Sequence, residues 1–526
     1  MRRKKASLLV SAVAVAAVAG NAAYALAAPA GTSRGPNTPT DPYVLPVSDG
    51  VATKSLLTVG DAGAAADGYE MVGIPDGLGA YQDPDSRDLT LLMNHELRLD
   101  QGVTRRHGQN GAFVSELEID TDSFGVEEGK DFIDPDIRYW NYVRRRLQPT
   151  PSPGGVNPRD ATDTFPAQSA DFQRFCSGYL TTPGQLFDED TGRGFGGQMY
   201  LANEESGDEG RVFGVTLDGQ AQQLPRLGLF SWENTIAAPT TGKATVVMGN
   251  EDSATGQMWV YAGKKKKRGN AFDKSGLTNG SNFVLDLENE AVDSDAEFRS
   301  TYGKGTPVPF DLGAAEEVNW DCSGARQNAD AAARGITLNR IEDGSFDPQH
   351  PNDYYFVTTE GSPGVVPDEP AVTRDGGGLW RIRFVDVNQP ELGGTLELVL
   401  DGSEDFYLNK PDNMTMDTHG NLLLQEDPGA NAQLARIIAY DVNTGDRGIL
   451  AEFDEAKFRS GSPGFITADE ESSGIIDAEE FIGQGWFIFD AQVHAPSGDP
   501  ATVEYGQLLT MSVRRWRDVY TIDGDD

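Results

Sequence analysis

Short apolar runs recur along the chain, each ending in Asn, Gln or Thr and then in acid. They are Leu91-Leu92-Met93-Asn94-His95-Glu96, Met199-Tyr200-Leu201-Ala202-Asn203-Glu204-Glu205, Val246-Val247-Met248-Gly249-Asn250-Glu251-Asp252, Tyr355-Phe356-Val357-Thr358-Thr359-Glu360 and Leu422-Leu423-Leu424-Gln425-Glu426-Asp427. Trp486-Phe487-Ile488-Phe489-Asp490 is a looser sixth. Apolar runs of this length, bounded by turn residues, predict buried strands. Between them lie hairpin signals: Val212–Val215 before Asp218-Gly219, Met258–Tyr261 before Gly263, Leu379–Phe384 after Gly376-Gly377-Gly378, and Ala435–Tyr440 before Asn443-Thr444-Gly445. The recurring order is an acid-ended strand, a Gly-rich turn, then a strand rich in aromatic and branched residues. That order predicts an all-β fold, a six-bladed β-propeller spanning 46–526 as one domain. Roughly 80 residues would fall to each blade against the ~40–45 of a minimal repeat, so long insertions are required. Asp273–Gly305 and Gly324–Ile336 are candidates for them, and Phe132–Leu147 reads as a short helix or a further insertion.

The ends and the charge add a setting. Arg2 to Lys5, the apolar Leu8–Val18 and the small residues Ala25-Leu26-Ala27 form an export signal over 1–27, and the Arg2-Arg3 pair allows the twin-arginine route. A Pro-, Thr-, Gly- and Ser-rich linker is expected over 28–45. The protein is therefore expected to work outside the cytoplasm, secreted or periplasmic, without a membrane anchor and as a monomer. A net charge of −39 over 526 residues argues against nucleic acid and anionic membrane as partners. It suits a calcium-rich setting, because bound divalent cations would neutralise part of it.

The chemistry is carried by carboxylates. The five histidines, His95, His107, His350, His419 and His494, include no pair at helical metal spacing. There is no Gly-x-Ser-x-Gly elbow and no P-loop. A carboxylate just past a buried strand is costly unless something pairs with it. Several of them delivered to one end of a propeller would make a site for hard cations, whereas separately they would mark strands ending in solvent. The two cysteines, Cys176 and Cys322, allow either one disulfide or a metal-bound thiolate. The basic run Lys264–Arg268 reads as a solvated hairpin tip.

Seven motifs occur in one order: Asn94-His95-Glu96, Phe175-Cys176-Ser177-Gly178, Ala202-Asn203-Glu204-Glu205, Leu227–Glu233, Gly249-Asn250-Glu251-Asp252, Arg340-Ile341-Glu342-Asp343-Gly344, and Pro411-Asp412-Asn413 with Gln425-Glu426-Asp427. In that order the chain resembles the PhoX-type alkaline phosphatases, exported bacterial enzymes, over residues 65 to 430. The resemblance implies a six-bladed propeller with a central cluster of iron (Fe3+) and calcium (Ca2+) that hydrolyses small phosphate monoesters. It implies iron ligation by Cys176, Glu233 and Glu342, and calcium ligation by Glu96, Glu204, Glu205, Asp412, Asn413, Glu426 and Asp427. Glu251, Asp252 and Asp343 join the candidate metal set through their motifs, and Arg340 is the expected phosphate-gripping residue. Leu229 and Trp232 depart from the family's Arg and His, the segment after Cys176 carries an insertion, and Asp469–Asp477 follows a divergent pattern. Two rival readings keep the same scaffold: a non-catalytic binding platform held together by calcium, and another propeller hydrolase such as a phytase or lactonase.

Overall fold

The computed structural model describes residues 31–61, 64–83, 86–239, 242–312, 317–367, 369–404 and 407–522. The expected export signal lies outside the described residues. Among them, no helix is long and apolar enough to cross a membrane.

Six antiparallel sheets are arranged as the blades of a propeller. Their innermost strands are, from blade 1 to blade 6, Pro75–Gln82, Phe175–Leu180, Trp232–Ala237, Ile341–Phe346, Pro411–Met416 and Glu470–Asp477. Each packs against the next in chain order, and the sixth packs against the first, so the ring is closed. The second strand of each blade carries the apolar run seen in the sequence: Asp88–His95, Met199–Glu204, Ala244–Glu251, Asp353–Thr358, Asn421–Glu426 and Trp486–Pro496, the last running on past Asp490, which is buried in mid-strand. It runs antiparallel to the innermost strand, so its acid-bearing end lies beside that strand's beginning.

The apolar runs are continuous because both faces of every blade are buried against a neighbour. Leu91 and Met93 pack into the gap between blades 6 and 1, whereas Leu92 packs into the gap between blades 1 and 2. The four other gaps are filled in the same way. Each fully buried Leu, Ile or Phe contributes roughly 1.5–3 kcal/mol relative to exposure.

Residues 31–45 of the stretch expected as a flexible linker carry strands at the ring's edges, and 28–30 lie outside the described residues. Gly31–Arg34 pairs in parallel with Val51–Thr58 at the edge of blade 6, and Val44–Pro46 pairs with Arg447–Phe453 at the edge of blade 5. Gln507 accepts from the Tyr43 backbone N–H at 2.7 Å, fixing the crossing between them. Its Thr and Ser residues read as linker by composition, yet they serve sheet edges, where half the backbone groups find partners.

The insertions supply the rest. The segment 132–173 forms two small hairpins, Tyr139–Asn141 with Arg146–Gln148 and Gly155–Asn157 with Asp160–Phe165, rather than a helix. Helices Asp295–Thr301 and Gly324–Ala332 fall in the connection from blade 3 to blade 4. The two insertions meet through Trp140 and Trp320, and through Asp163, which accepts from Ser323. The basic run is not wholly solvated: Lys265 is buried, and burial lowers its pKa to about 8.

Close packing of the inner strands makes Gly77 irreplaceable. A Cβ there would meet the Gly178 amide nitrogen at 2.0 Å and the Ser177 carbonyl carbon at 2.4 Å, both backbone atoms that cannot swing away. Gly77→Ala is expected to destabilise the fold by about 3 kcal/mol, read from the midpoint of chemical unfolding.

Candidate metal centre

The second residue of every innermost strand is acidic or a thiol: Asp76, Cys176, Glu233, Glu342, Asp412 and Glu471. In five blades the register to the second strand slips immediately after the first residue, as at Pro75/Leu78 and Phe175/Gly178. A bulge of this kind re-aims a side chain and ends pairing locally. Repeated around the ring, it places these residues at one end of the inner strands, all buried. Ligand atoms of Asp76, Glu96 and Cys176 lie within 4.8 Å of one another, as do those of Cys176, Glu205 and Glu233 and those of Glu233, Glu342 and Asp412. Glu233 and Cys176 each belong to two of these groups, so the three are continuous.

An outer ring surrounds the inner one. In five blades the residue following the second strand is Glu96, Glu205, Asp252, Thr359 or Asp427, and in blade 6 the equivalent residue is His494, within the longer second strand. In each blade its N–H donates to the carbonyl of the residue just before the innermost strand: Ile74, Arg174, Ser231, Arg340, Lys410 and Asp469. Ile74, Arg174, Arg340 and Lys410 have φ of 50°, 45°, 55° and 52°, the left-handed region that costs a residue with a Cβ on the order of 1 kcal/mol. Such strain persists only where the surroundings impose it, and it gathers at functional sites.

Five side-chain amides and the Thr359 hydroxyl tie the blades together at this level. Asn94 Nδ2 donates to the Cys176 carbonyl at 2.7 Å, and Asn203 Nδ2 to the Glu233 carbonyl at 2.8 Å. Asn250 Nδ2 donates to the Glu342 carbonyl. Thr359 Oγ1 reaches the Pro411 carbonyl at 3.0 Å, Gln425 Nε2 the Ser473 carbonyl at 3.0 Å, and Gln492 Nε2 the Asp76 carboxylate at 3.0 Å. Each blade thus fixes the backbone or carboxylate that presents the next blade's site residue.

Three expected ligands are not brought in. Glu204 takes both Arg211 nitrogens, Nε at 2.5 Å and Nη2 at 2.6 Å, in a buried fork. Glu426 does the same with Arg436, at 2.8 and 2.6 Å. Glu251 accepts from Trp259 Nε1 at 2.8 Å and the Gln257 N–H at 3.0 Å. All three occupy one position in their strands, one residue before the outer ring. Strand alternation turns them into the blade and away from the axis. Asp343 lies one residue past the inner ring and is held by Asn234 Nδ2 at 2.6 Å, its neighbouring Gly344 N–H at 2.6 Å and the Met414 N–H at 3.1 Å. Asn413 bridges Ser177 Oγ at 2.8 Å and Ser473 Oγ at 3.2 Å. Both line a central cavity of about 360 Å³ that continues along the inner strands beyond the acids. Asp427, in the outer ring, accepts the Gly429 N–H at 2.9 Å.

Two inner-ring acids, Asp76 and Glu471, are absent from the expected ligands, because neither lies in one of the seven motifs. The signal was present as Pro75-Asp76 and Glu470-Glu471, in step with Pro411-Asp412 and Ile341-Glu342. His494 was missed too: it stands in the outer ring, its Nδ1 at 2.9 Å from Glu504 and its Nε2 3.5 Å from Glu471. These carboxylates push its pKa up to about 11 against the lowering effect of burial. Both cysteines are free and buried, so no disulfide links them. Cys322 lies in the blade 3–4 connection, its Sγ 2.9 Å from the Asn319 carbonyl.

So many convergent acids hold each other's protons. Burial and then Glu96 raise Asp76 well above the carboxylate range, and burial and then Asp76 raise the Cys176 thiol. Burial lifts Glu233 to about 8 although Ser177 Oγ donates to it at 2.7 Å. Burial, then Asp427, lifts Glu471 to about 7. Burial raises Glu342 and Asp412 as well, with Asp252 and Glu342 respectively the next cause. Glu342 Oε1 lies 3.2 Å from Arg340 Nη2 but out of line for a hydrogen bond, and is buried without another partner. Five carboxylates and a thiol, with Glu342 Oε1 buried and unpartnered, fit hard cations together with a metal that accepts sulfur.

A family model described as alkaline phosphatase PhoX matches residues 194–470. No curated protein matches the sequence. Among solved structures, Pseudomonas fluorescens PhoX in complex with vanadate, a transition state analogue, is similar at 12% identity and a TM-score of 0.60, over 90% of this chain and 98% of that one. That likeness shows the fold. A luciferin-regenerating enzyme, at 9% identity and 0.32 over 84% and 92%, and a Synechocystis apocarotenoid oxygenase, at 10% and 0.31 over 80% and 87%, are too distant to carry an argument.

Proposed function

Because the chain belongs to the PhoX alkaline phosphatase family, we propose that it hydrolyses small phosphate monoesters outside the cytoplasm, at an iron and calcium centre held by the inner acid ring. The observation that carries this reading is the sixfold repetition of an acid or thiol at the second position of the innermost strands. Cys176 and Glu233 suit the iron side, because the thiolate is the one soft donor among them. Glu342, Asp412, Asp76 and Glu471 supply hard oxygen donors for calcium. Bound there, the metals would supply Lewis acidity and a water acidic enough to serve as nucleophile.

The protein's own part is orientation and charge. Arg340 gives Nε and Nη2 to the two Asp252 oxygens, each at 2.9 Å, and lies against Glu342. That leaves Nη1 without a hydrogen-bond partner among the described residues, on a side chain 31% exposed and fixed in direction. A planar guanidinium so held matches the equatorial oxygens of a phosphoryl group, on which charge accumulates in a loose transition state. Ser177 and Asn413 orient Glu233 from beneath, and the blade-to-blade amides keep the ring from relaxing when its charge changes.

Elemental analysis and a chromogenic phosphate monoester assay test the proposal together. Iron and calcium should co-purify with the protein, and chelation should lower the rate by about 100-fold or more, with recovery on adding both metals back. Calcium alone with no turnover would leave the binding-platform reading standing instead.

A further inference from the structure

We propose that Arg174 is a built-in cation of this centre: its guanidinium fills the place between blades 1 and 2 where Glu96 and Glu205 would otherwise share a divalent ion. The inference rests on the proposed metal centre and concerns how many ions it holds.

Glu96 and Glu205 leave the ends of equivalent strands on neighbouring blades, and both are buried. Arg174 Nε donates to Glu96 Oε1 at 2.7 Å, and Nη2 pairs with Glu205 Oε2. Two buried carboxylates that meet at one guanidinium repel each other, and a cation between them offsets that repulsion. The chain supplies one covalently, on a left-handed residue whose carbonyl is tied to the Glu205 N–H. Two of the three convergent groups, Asp76 with Glu96 and Cys176 and Cys176 with Glu205 and Glu233, include an outer acid that Arg174 engages.

One further outer-ring acid, Asp252, is compensated in the same manner. Arg340, at the equivalent position of blade 4, takes Asp252, and His494 lies beside Glu471. Asp412 shows the contrast: no hydrogen-bond donor among the described residues reaches its carboxylate, and it belongs to the group with Glu233 and Glu342. Metal ions are therefore expected at the inner ring, while between blades 1 and 2 one guanidinium already offsets part of the charge of two carboxylates. The centre then holds fewer hard cations than its count of acids suggests.

Calcium bound at equilibrium, counted for the wild type, Arg174→Ala and Arg174→Lys with circular dichroism as the check of fold, tests this. Arg174→Ala should bind about one more calcium per chain than the wild type, with iron content unchanged, and Arg174→Lys should bind no extra. An equal calcium count in folded Arg174→Ala overturns the inference. If Arg174→Ala unfolds in calcium-free buffer, millimolar calcium should restore it, and failure to do so also overturns the inference. Adding Glu233→Gln separates the two levels of the argument. The extra calcium should persist in the double variant, even though the inner centre is lost; its disappearance counts against the assignment to Arg174. A wild type devoid of metal would instead sink the proposed function and leave the comparison at Arg174 readable.

Discussion

Glu233→Gln is expected to abolish phosphatase activity, with kcat/KM falling on the order of a thousandfold, about 4 kcal/mol of transition-state stabilisation. Glu233 is the residue through which the convergent groups join, one with Cys176 and Glu205 and the other with Glu342 and Asp412. Gln keeps the shape and can still accept the Ser177 hydroxyl. It cannot carry the negative charge that a multivalent cation needs. Metal content should fall with activity. The β fold should survive, since burial already pushes the Glu233 pKa up to about 8 and a neutral side chain relieves that cost. Elemental analysis of the purified variant beside its steady-state kinetics decides the matter. A variant with full metal and full activity would remove Glu233 from the centre and break the ring as a functional unit.

The sequence carried the ring's architecture further than its ligand list. Runs such as Leu91–Glu96 and Leu422–Asp427 were readable as strands because a blade buries both faces, and their terminal acids do gather at one end. The Asn, Gln or Thr before the acid had no meaning in the sequence alone; in the fold it is the tie to the next blade, as Asn94 and Asn203 show. Adjacent acids were inseparable for a simple reason. Glu204 and Glu205 differ by one residue, and strand alternation sends one to Arg211 inside the blade and the other to the mouth. Telling them apart needs the register of a strand twenty-odd residues away, which local pattern does not contain. Asp76 was hidden differently, since Pro75-Asp76-Gly77 also reads as a turn. Only its alignment with five other inner strands reveals it. The strands at 31–34 and 44–46 were not legible because composition measures what a segment can bury by itself, whereas a sheet edge gives hydrogen bonds to a segment that buries little.

Chelated protein is expected to lose stability as pH rises, and the difference between metal-loaded and chelated forms to widen. The inner-ring acids whose folded pKa values stand at about 7 for Glu471 and about 8 for Glu233 lie above the ordinary value near 4.5. A group raised in the folded state contributes stability that is complete below its unfolded pKa and lost as pH climbs through its folded one. For each such group, every pH unit in that window removes about 1.4 kcal/mol. His494, raised to about 11, acts in the same direction, because its charged form is favoured by folding. Metal ions reverse the cost, since they bind the deprotonated acids and thiolate and bind them more tightly as protons leave. Apparent unfolding temperatures measured with and without chelator should therefore lie close together at pH 5 and far apart at pH 8.5, with the chelated form falling. Parallel curves across that range would mean that the buried acids are not the ligands, whatever the protein's activity. A wide gap at alkaline pH would also favour turnover there on the proposed reading, in which the deprotonated ring holds the metals while Asp252 keeps Arg340 in place.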